Sequence, residues 1–315
     1  MDIVVADNAG FCFGVERALE MVLGQQEPTP PPSSRQRRAA HSGRASRSAR
    51  SPAGFDSARE RPGQALAPIY TLGPLIHNPQ AVERLREKGI EQVSSVGDVP
   101  PNATLVIPSH GISPEVLAQA RARGLRLLDA TCPFVARAQD NVRTLAQEGY
   151  QVIILGDKGH PEVAGLVGAA GGQAVVIEDQ TELAAMPLEP RVGLVVQTTQ
   201  SPARFRAVAG ALAERSRELR AYNTICAATS QRQQSAVRLA RQVEVMIVVG
   251  GRNSANTNRL RQVCAQVGVP THHVETAAEL APEWFAGKRR VGVTAGASTP
   301  DWVINEVVEA LPRLT

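Results

Sequence analysis

The chain has 315 residues, 43% of them hydrophobic and 3% aromatic, with 34 Lys and Arg against 30 Asp and Glu and four cysteines. That length suits two or three domains around an aliphatic core. No apolar run reaches the roughly 18–20 residues of a membrane span, and cysteines at 12, 132, 226 and 264 are too few and too scattered for a disulfide scaffold, so membrane, disulfide-rich secreted and fibrous classes are excluded.

The first segment, residues 3–23, runs from a β-branched strand through a small polar turn into a helical pattern. It opens without a basic stretch ahead of an apolar one, so no secretory signal is expected there and a cytoplasmic protein is. Residues 28–67 follow, with eight Arg, two acids, six Pro and seven Ser, a net charge of +6. The remaining 26 basic and 28 acidic residues leave the rest of the chain at −2, so the basicity belongs to this one segment. Its composition predicts a disordered insertion. A solvated linker is the expected reading, and an Arg-rich arm touching RNA or another anionic surface the alternative.

Strand, turn and helical pattern then recur at 103–124, 125–145, 151–170, 192–214, 243–266 and 290–311. Fully apolar strands such as MIVVG and LVVQ suit buried parallel sheets, and the alternation predicts an α/β architecture. Helix starts are expected at Ser113-Pro114, Ser201-Pro202 and Ser298-Thr299-Pro300, each with a capping hydroxyl ahead of Pro at the first helical position. Pro270–Val274, with His272 and His273, reads as a loop.

The chemistry-bearing residues gather where strands end. Cys12, His110, Cys132, His160, Glu162, Thr198, Ser254, Asn256 and Ser298 each follow a strand or open the next helix. In open α/β sheets this is where ligands bind, and helix N-termini there favour phosphates. The separations between Cys12, Cys132 and Cys226 exclude paired-cysteine motifs. The three thiols read either as small buried hydrophobes or as ligands converging on one metal centre with a fourth position open. His77, His110 and His160 sit in small polar turns and could bind phosphate or metal. Glu162 could deliver protons into a closed pocket or simply stabilise a helix start. Cys264, amid apolar neighbours, reads as core. No GxGxxG or GxxxxGK[ST] fingerprint is present, so a phosphate-bearing small molecule held by Ser, Asn, Thr and His remains.

In order along the chain, GFCFGVERAL, the His77-Asn78 pair, SHGIS, DATCP, GHPEV, QTTQS, ICAATSQRQ, NSANTNRL and TAGAS resemble the 4-hydroxy-3-methylbut-2-enyl diphosphate reductase family. The resemblance spans the chain apart from roughly residues 27–67. It implies three similar α/β lobes in a trefoil around a central iron–sulfur cluster, with lobes expected at 1–131 (carrying the N-terminal strand and the insertion), 132–222 and 223–315. It also implies one 4Fe-4S cluster held by Cys12, Cys132 and Cys226, whose labile fourth iron takes the substrate hydroxyl and whose loss gives a 3Fe-4S form. Glu162 matches the family's proton donor and Thr198 its partner at that hydroxyl, while His77, His110, His160, Ser254, Asn256 and Ser298 match the diphosphate-binding positions. The implied reaction takes two electrons and two protons, expels water, and yields isopentenyl and dimethylallyl diphosphate.

The implied partners are the allylic diphosphate and a ferredoxin- or flavodoxin-type electron donor. A monomer is expected, with no membrane and no nucleic acid. Two departures stand out: Ala255 replaces a serine common in the family, removing one side-chain bond to phosphate, and segment 28–67 is extra and could dock an acidic donor. Competing readings are a zinc hydrolase built on the same cysteines and histidines, and an RNA-binding protein using the Arg-rich arm.

Overall fold

A computed structural model describes residues 1–25 and 68–314, and the expectation of a disordered insertion at 28–67 lies outside the described residues. Three four-stranded sheets, parallel throughout, carry the chain. The first orders β3 (Ile90–Val93), β2 (Ile69–Leu72), β4 (Thr104–Ile107) and β5 (Arg126–Asp129). The second orders β7 (Val175–Ile177), β6 (Gln151–Leu155), β8 (Arg191–Val196) and β9 (Glu218–Tyr222). The third orders β11 (Thr271–Val274), β10 (Val245–Val249), β12 (Arg290–Ala295) and β1 (Asp2–Val5).

The order is the same in each sheet, and it corrects the expected first lobe. The N-terminal strand does not join residues 69–129; its Asp2–Val5 pairs with Arg290–Val293 of β12 as the fourth strand of the third sheet. The physical reason lies in the repeat. Each fourth strand, β1, β5 or β9, runs out of its own sheet into a cysteine, and the helix that follows packs on the next sheet. Helix α1 (Phe13–Leu23) buries Val15, Ala18, Leu19 and Val22 against Ile69, Ile90 and Val106. Helix α4 (Pro133–Gln147) buries Ala138, Val142 and Leu145 against Val152, Ile154 and Val195. Helix α7 (Ala227–Ala240) buries Ala236, Leu239 and Ala240 against Met246 and Val248. The repeat therefore begins at the cysteine, and the N-terminal strand closes the ring.

The remaining helices are α2 (Pro79–Glu87), α3 (Pro114–Ala122), α5 (Pro161–Ala169), α6 (Pro202–Arg215), α8 (Ala255–Ala265) and α9 (Asp301–Ala310). Ser113 and Ser201 cap α3 and α6 through their hydroxyls, with Pro at the first helical position. The third expected start shifts by one residue: Pro300 is the cap of α9, and Thr299 donates its hydroxyl to the Val249 carbonyl at 3.1 Å. Residues 271–274 are not a loop but strand β11, paired with β10. Its composition, THHV, hides it because an edge strand has one bonded neighbour and a half-exposed face, so apolar patterning is not imposed on it. Cys264 is fully buried among Leu239, Met246 and Leu260, and burial pushes its thiol up to about 12.

Candidate active site

Cys12, Cys132 and Cys226 occupy one structural position, the N-cap of α1, α4 and α7, and none spends its sulfur on capping. Their backbones are fixed in parallel fashion. Cys12 N–H donates to Ala297 O at 3.1 Å, Cys132 N–H to Ser109 O at 2.9 Å and Cys226 N–H to Thr198 O at 3.0 Å, each acceptor lying in the turn after a sheet's third strand. Each lobe thus carries one thiol at the same cap position.

Gly14 sits beside two of these thiols. A Cβ there would lie 2.7 Å from Cys132 Sγ and 4.0 Å from Cys12 Sγ, so the two sulfurs are separated by at most the sum of those distances. Burial pushes the Cys132 thiol up, and the nearby Cys12 and Cys226 add to it. Gly14→Ala is expected to leave the fold intact, since Gly14 is inside α1 with helical geometry, yet to displace the Cys132 thiol. Iron bound per chain on reconstitution and the melting temperature of the apo-protein separate the two effects.

Glu162, second residue of α5, is buried. Thr198 N–H donates to Glu162 Oε1 at 2.7 Å and Thr198 Oγ1 to Oε2 at 2.9 Å. Desolvation outweighs both bonds and lifts the carboxyl to about 7, with Asp157 adding in the same direction. Because Thr198 also takes the Cys226 N–H on its carbonyl, one residue ties the acid to a cap-position cysteine.

His77, His110 and His160 form a ring cluster, with His77 stacked on His110 at 5.3 Å between centroids and tilted against His160 at 5.2 Å. His160 caps α5, its Nδ1 accepting Glu162 N–H at 3.1 Å, so in the neutral ring the proton sits on Nε2. His110 Nδ1 lies 3.0 Å from Gly111 O, which only accepts, so Nδ1 carries the hydrogen. Burial drives all three toward the neutral form, His110 to about 3 and His160 to about 4. His77 Nδ1 and Nε2, His110 Nε2 and His160 Nε2 have no protein partner. Buried polar atoms are ordinarily bonded, so this concentration marks a chamber shaped for a polar guest.

The third lobe completes the chamber. Ser254 caps α8 through its Oγ, and buried Asn256 leaves both side-chain polar atoms without a protein partner. A Cβ on Gly296 would strike Thr257 Oγ1 at 2.0 Å, which places the Gly296–Ser298 turn on the start of α8. A Cβ on Gly251 would strike His77 O at 2.5 Å, which places the turn after β10 on the histidine cluster. Ala255 borders a cleft of about 560 Å³ lined also by His77, His160, Lys158 and Arg259, whose cations suit the approach of an anion.

Among the described residues no three His, Cys, Asp or Glu side chains close on a single metal ion. A sequence model of a family described as "LytB protein" matches residues 53–312. The 4-hydroxy-3-methylbut-2-enyl diphosphate reductase of Geobacter metallireducens is 42% identical over 314 residues, covering 100% of this chain and 98% of that protein. The chain belongs to this family. The Aquifex aeolicus reductase is 41% identical over 317 residues, covering 100% of this chain and 97% of its own. A solved structure of the reductase described as the terminal enzyme of the non-mevalonate pathway is 39% identical, with a TM-score of 0.62 and coverage of 99% of this chain and 100% of that one. The Plasmodium falciparum reductase structure, at 24% identity, shares the fold with a TM-score of 0.83 and coverage of 98% and 87%. Among the described residues, no helix of this family member is long and apolar enough to cross a membrane.

Sequence reasoning passed over several residues of the site. Asp157 and Arg259 pair at 3.0 Å between the second and third lobes. Gln139 and Gln233, each seven residues beyond a cysteine, bond carbonyls of the preceding lobe, at Ile112 and Gln200. Arg232, 3% exposed, reaches Gly10 O at 2.8 Å. For Gln139, Gln233 and Arg232 the signal is the spacing from a cysteine, visible once the three helices are aligned at their caps; Asp157 and Arg259 carry no such signal.

Proposed function

We propose that this chain carries out the reductive dehydroxylation of 4-hydroxy-3-methylbut-2-enyl diphosphate, taking up two electrons and two protons and releasing water with isopentenyl or dimethylallyl diphosphate. The observation that carries it is three cap-position thiols from three lobes, one of them tied through Thr198 to a buried carboxyl near neutrality.

The residues fit an iron–sulfur cluster. Three soft donors with no fourth protein thiol beside them suit iron–sulfur chemistry with one position left to substrate. Cys12, Cys132 and Cys226 would hold it, and when bound it supplies the electrons and a Lewis-acidic iron for the hydroxyl. A 4Fe-4S cluster with a labile fourth iron is the form this donor set supports. Electrons arrive from a ferredoxin- or flavodoxin-type donor, and the chain works as a cytoplasmic monomer.

The chain's own residues handle the proton and the charge. Hydroxide is a poor leaving group in a dry site, so it departs as water once protonated. A carboxyl at about 7 is a proton donor at neutral pH. With Glu162 protonated, the Oε2–Thr198 bond reverses, and the Thr198 hydroxyl becomes free to donate toward the substrate oxygen. His160 Nε2–H, Asn256 and the α8 start offer neutral donors to the diphosphate. His77 and His110, which burial holds neutral, gain protons more easily once that anion is beside them. Remote binding of this kind orients the allylic carbon toward the thiols.

Iron and acid-labile sulfide per chain, with the visible spectrum before and after substrate, test the reading on anaerobically purified protein. The expected result is close to four irons, or three after exposure to oxygen, a brown protein with a broad visible absorption band, and a spectral change on adding substrate. A colourless or zinc-bearing protein that stays so after anaerobic reconstitution would overturn it.

A further inference from the structure

Six residues beyond each cap cysteine, the helix turns the same face inward. In α1 that position is Ala18, fully buried, and in α4 it is Ala138, fully buried. In α7 it is Arg232, 3% exposed. The threefold pattern is thus broken at one position, by a cation where its two counterparts are methyl groups.

The surroundings of this guanidinium do not explain it as an ordinary ion pair. Nη2 donates to the Gly10 carbonyl, two residues ahead of Cys12, while Nε and Nη1 are buried with no protein partner. The groups that oppose the loss of its charge on burial are Cys12 and Cys226, with no carboxylate among them. A buried arginine with unpaired N–H groups is unfavourable unless an anion accompanies it, and a cluster held by three thiolates would supply that anion.

We propose that Arg232 is a positioning residue for the cluster held by Cys12, Cys132 and Cys226, its fixed positive charge stabilising the reduced form and its bond to Gly10 setting the Cys12 loop. This inference rests on the iron–sulfur reading above. The sign follows from Coulomb's law: each added electron makes the cluster more negative, so a neighbouring cation favours reduction, and removing it lowers the midpoint potential. Ala18 and Ala138 bring no charge at the matching positions of the other two helices.

The test compares wild type, Arg232→Gln and Arg232→Lys after anaerobic reconstitution, measuring iron per chain and the midpoint potential by spectroelectrochemistry. A wild type that fails to load iron defeats the iron–sulfur reading itself, independently of Arg232. With wild type loaded, the expected result is a lower potential in Arg232→Gln and a potential restored most of the way in Arg232→Lys, which keeps the charge and loses the fork. Should Arg232→Gln fail to load, loading of Arg232→Lys still supports the charge role. An unchanged potential in loaded Arg232→Gln, or loss of the cluster in both variants, overturns the proposal and leaves Arg232 a scaffold residue.

Discussion

Replacing Glu162 with glutamine is expected to cut turnover by a factor of about 100–10,000, the range of a lost general acid, while the protein still folds and binds its cluster. The amide keeps the size of the carboxyl and an acceptor for Thr198 N–H, which bonds Glu162 Oε1 at 2.7 Å, but carries no transferable proton. The pH profile identifies the group. With its pKa at about 7 the carboxyl donates below that pH and is spent above it, so kcat/KM of the wild type falls as pH rises through this region, and the limb is missing in Glu162→Gln.

Stability reports the same group with a defined sign. From 4.5 in the unfolded chain the pKa rises to about 7 when folded, so between those values the folded state holds a proton that the unfolded state has shed. Stability from this site is present below the lower value, drains away as pH rises toward 7, and is flat beyond, a loss on the order of 3 kcal/mol. Glu162→Gln lacks that loss, so its stability gains on the wild type's as pH rises from 5 to 7, on top of the rise that buried, neutral His77, His110 and His160 give both proteins. Identical slopes, or a turnover loss of less than about tenfold, would remove the proton-donor role from Glu162.

Serine at Cys12, Cys132 or Cys226 is expected to reduce iron per chain and turnover by more than about 100-fold, because partners one shell further out already cost 10–100-fold when removed. Each variant should retain wild-type circular dichroism as apo-protein, since none of the three sulfurs makes a capping hydrogen bond. Cys264→Ser supplies the contrast. Its sulfur lies fully buried in an apolar cluster, so a hydroxyl there costs about 1–3 kcal/mol of stability with iron content unchanged. If the first three variants kept their iron, the convergence of thiols would have no bearing on function.

Much of the site was legible before any coordinates. Cys12, Cys132 and Cys226, the acid Glu162 and the turn histidines follow strands in the sequence, and strand ends are where α/β sheets expose helix N-termini to ligands. Apolar runs such as that of β10 declared buried parallel strands because both of their faces are covered. Half-polar edge strands such as β11 gave no such signal.

Local chemistry was written in the order of residues: strand–turn–helix units, capping serines at 113 and 201, three scattered thiols and the motifs of the family. What lies across space from what emerged on folding. That β1 completes the third sheet depends on pairing with β12, nearly 290 residues away, which no local pattern encodes. That Glu162 titrates near 7 depends on burial beside Thr198, and that Arg232 has Cys12 and Cys226 for company depends on α7 reaching the N-terminal loop. Propensity and patterning act over a few residues, whereas desolvation and Coulomb interactions are set by distances that exist only after the three lobes close on one another.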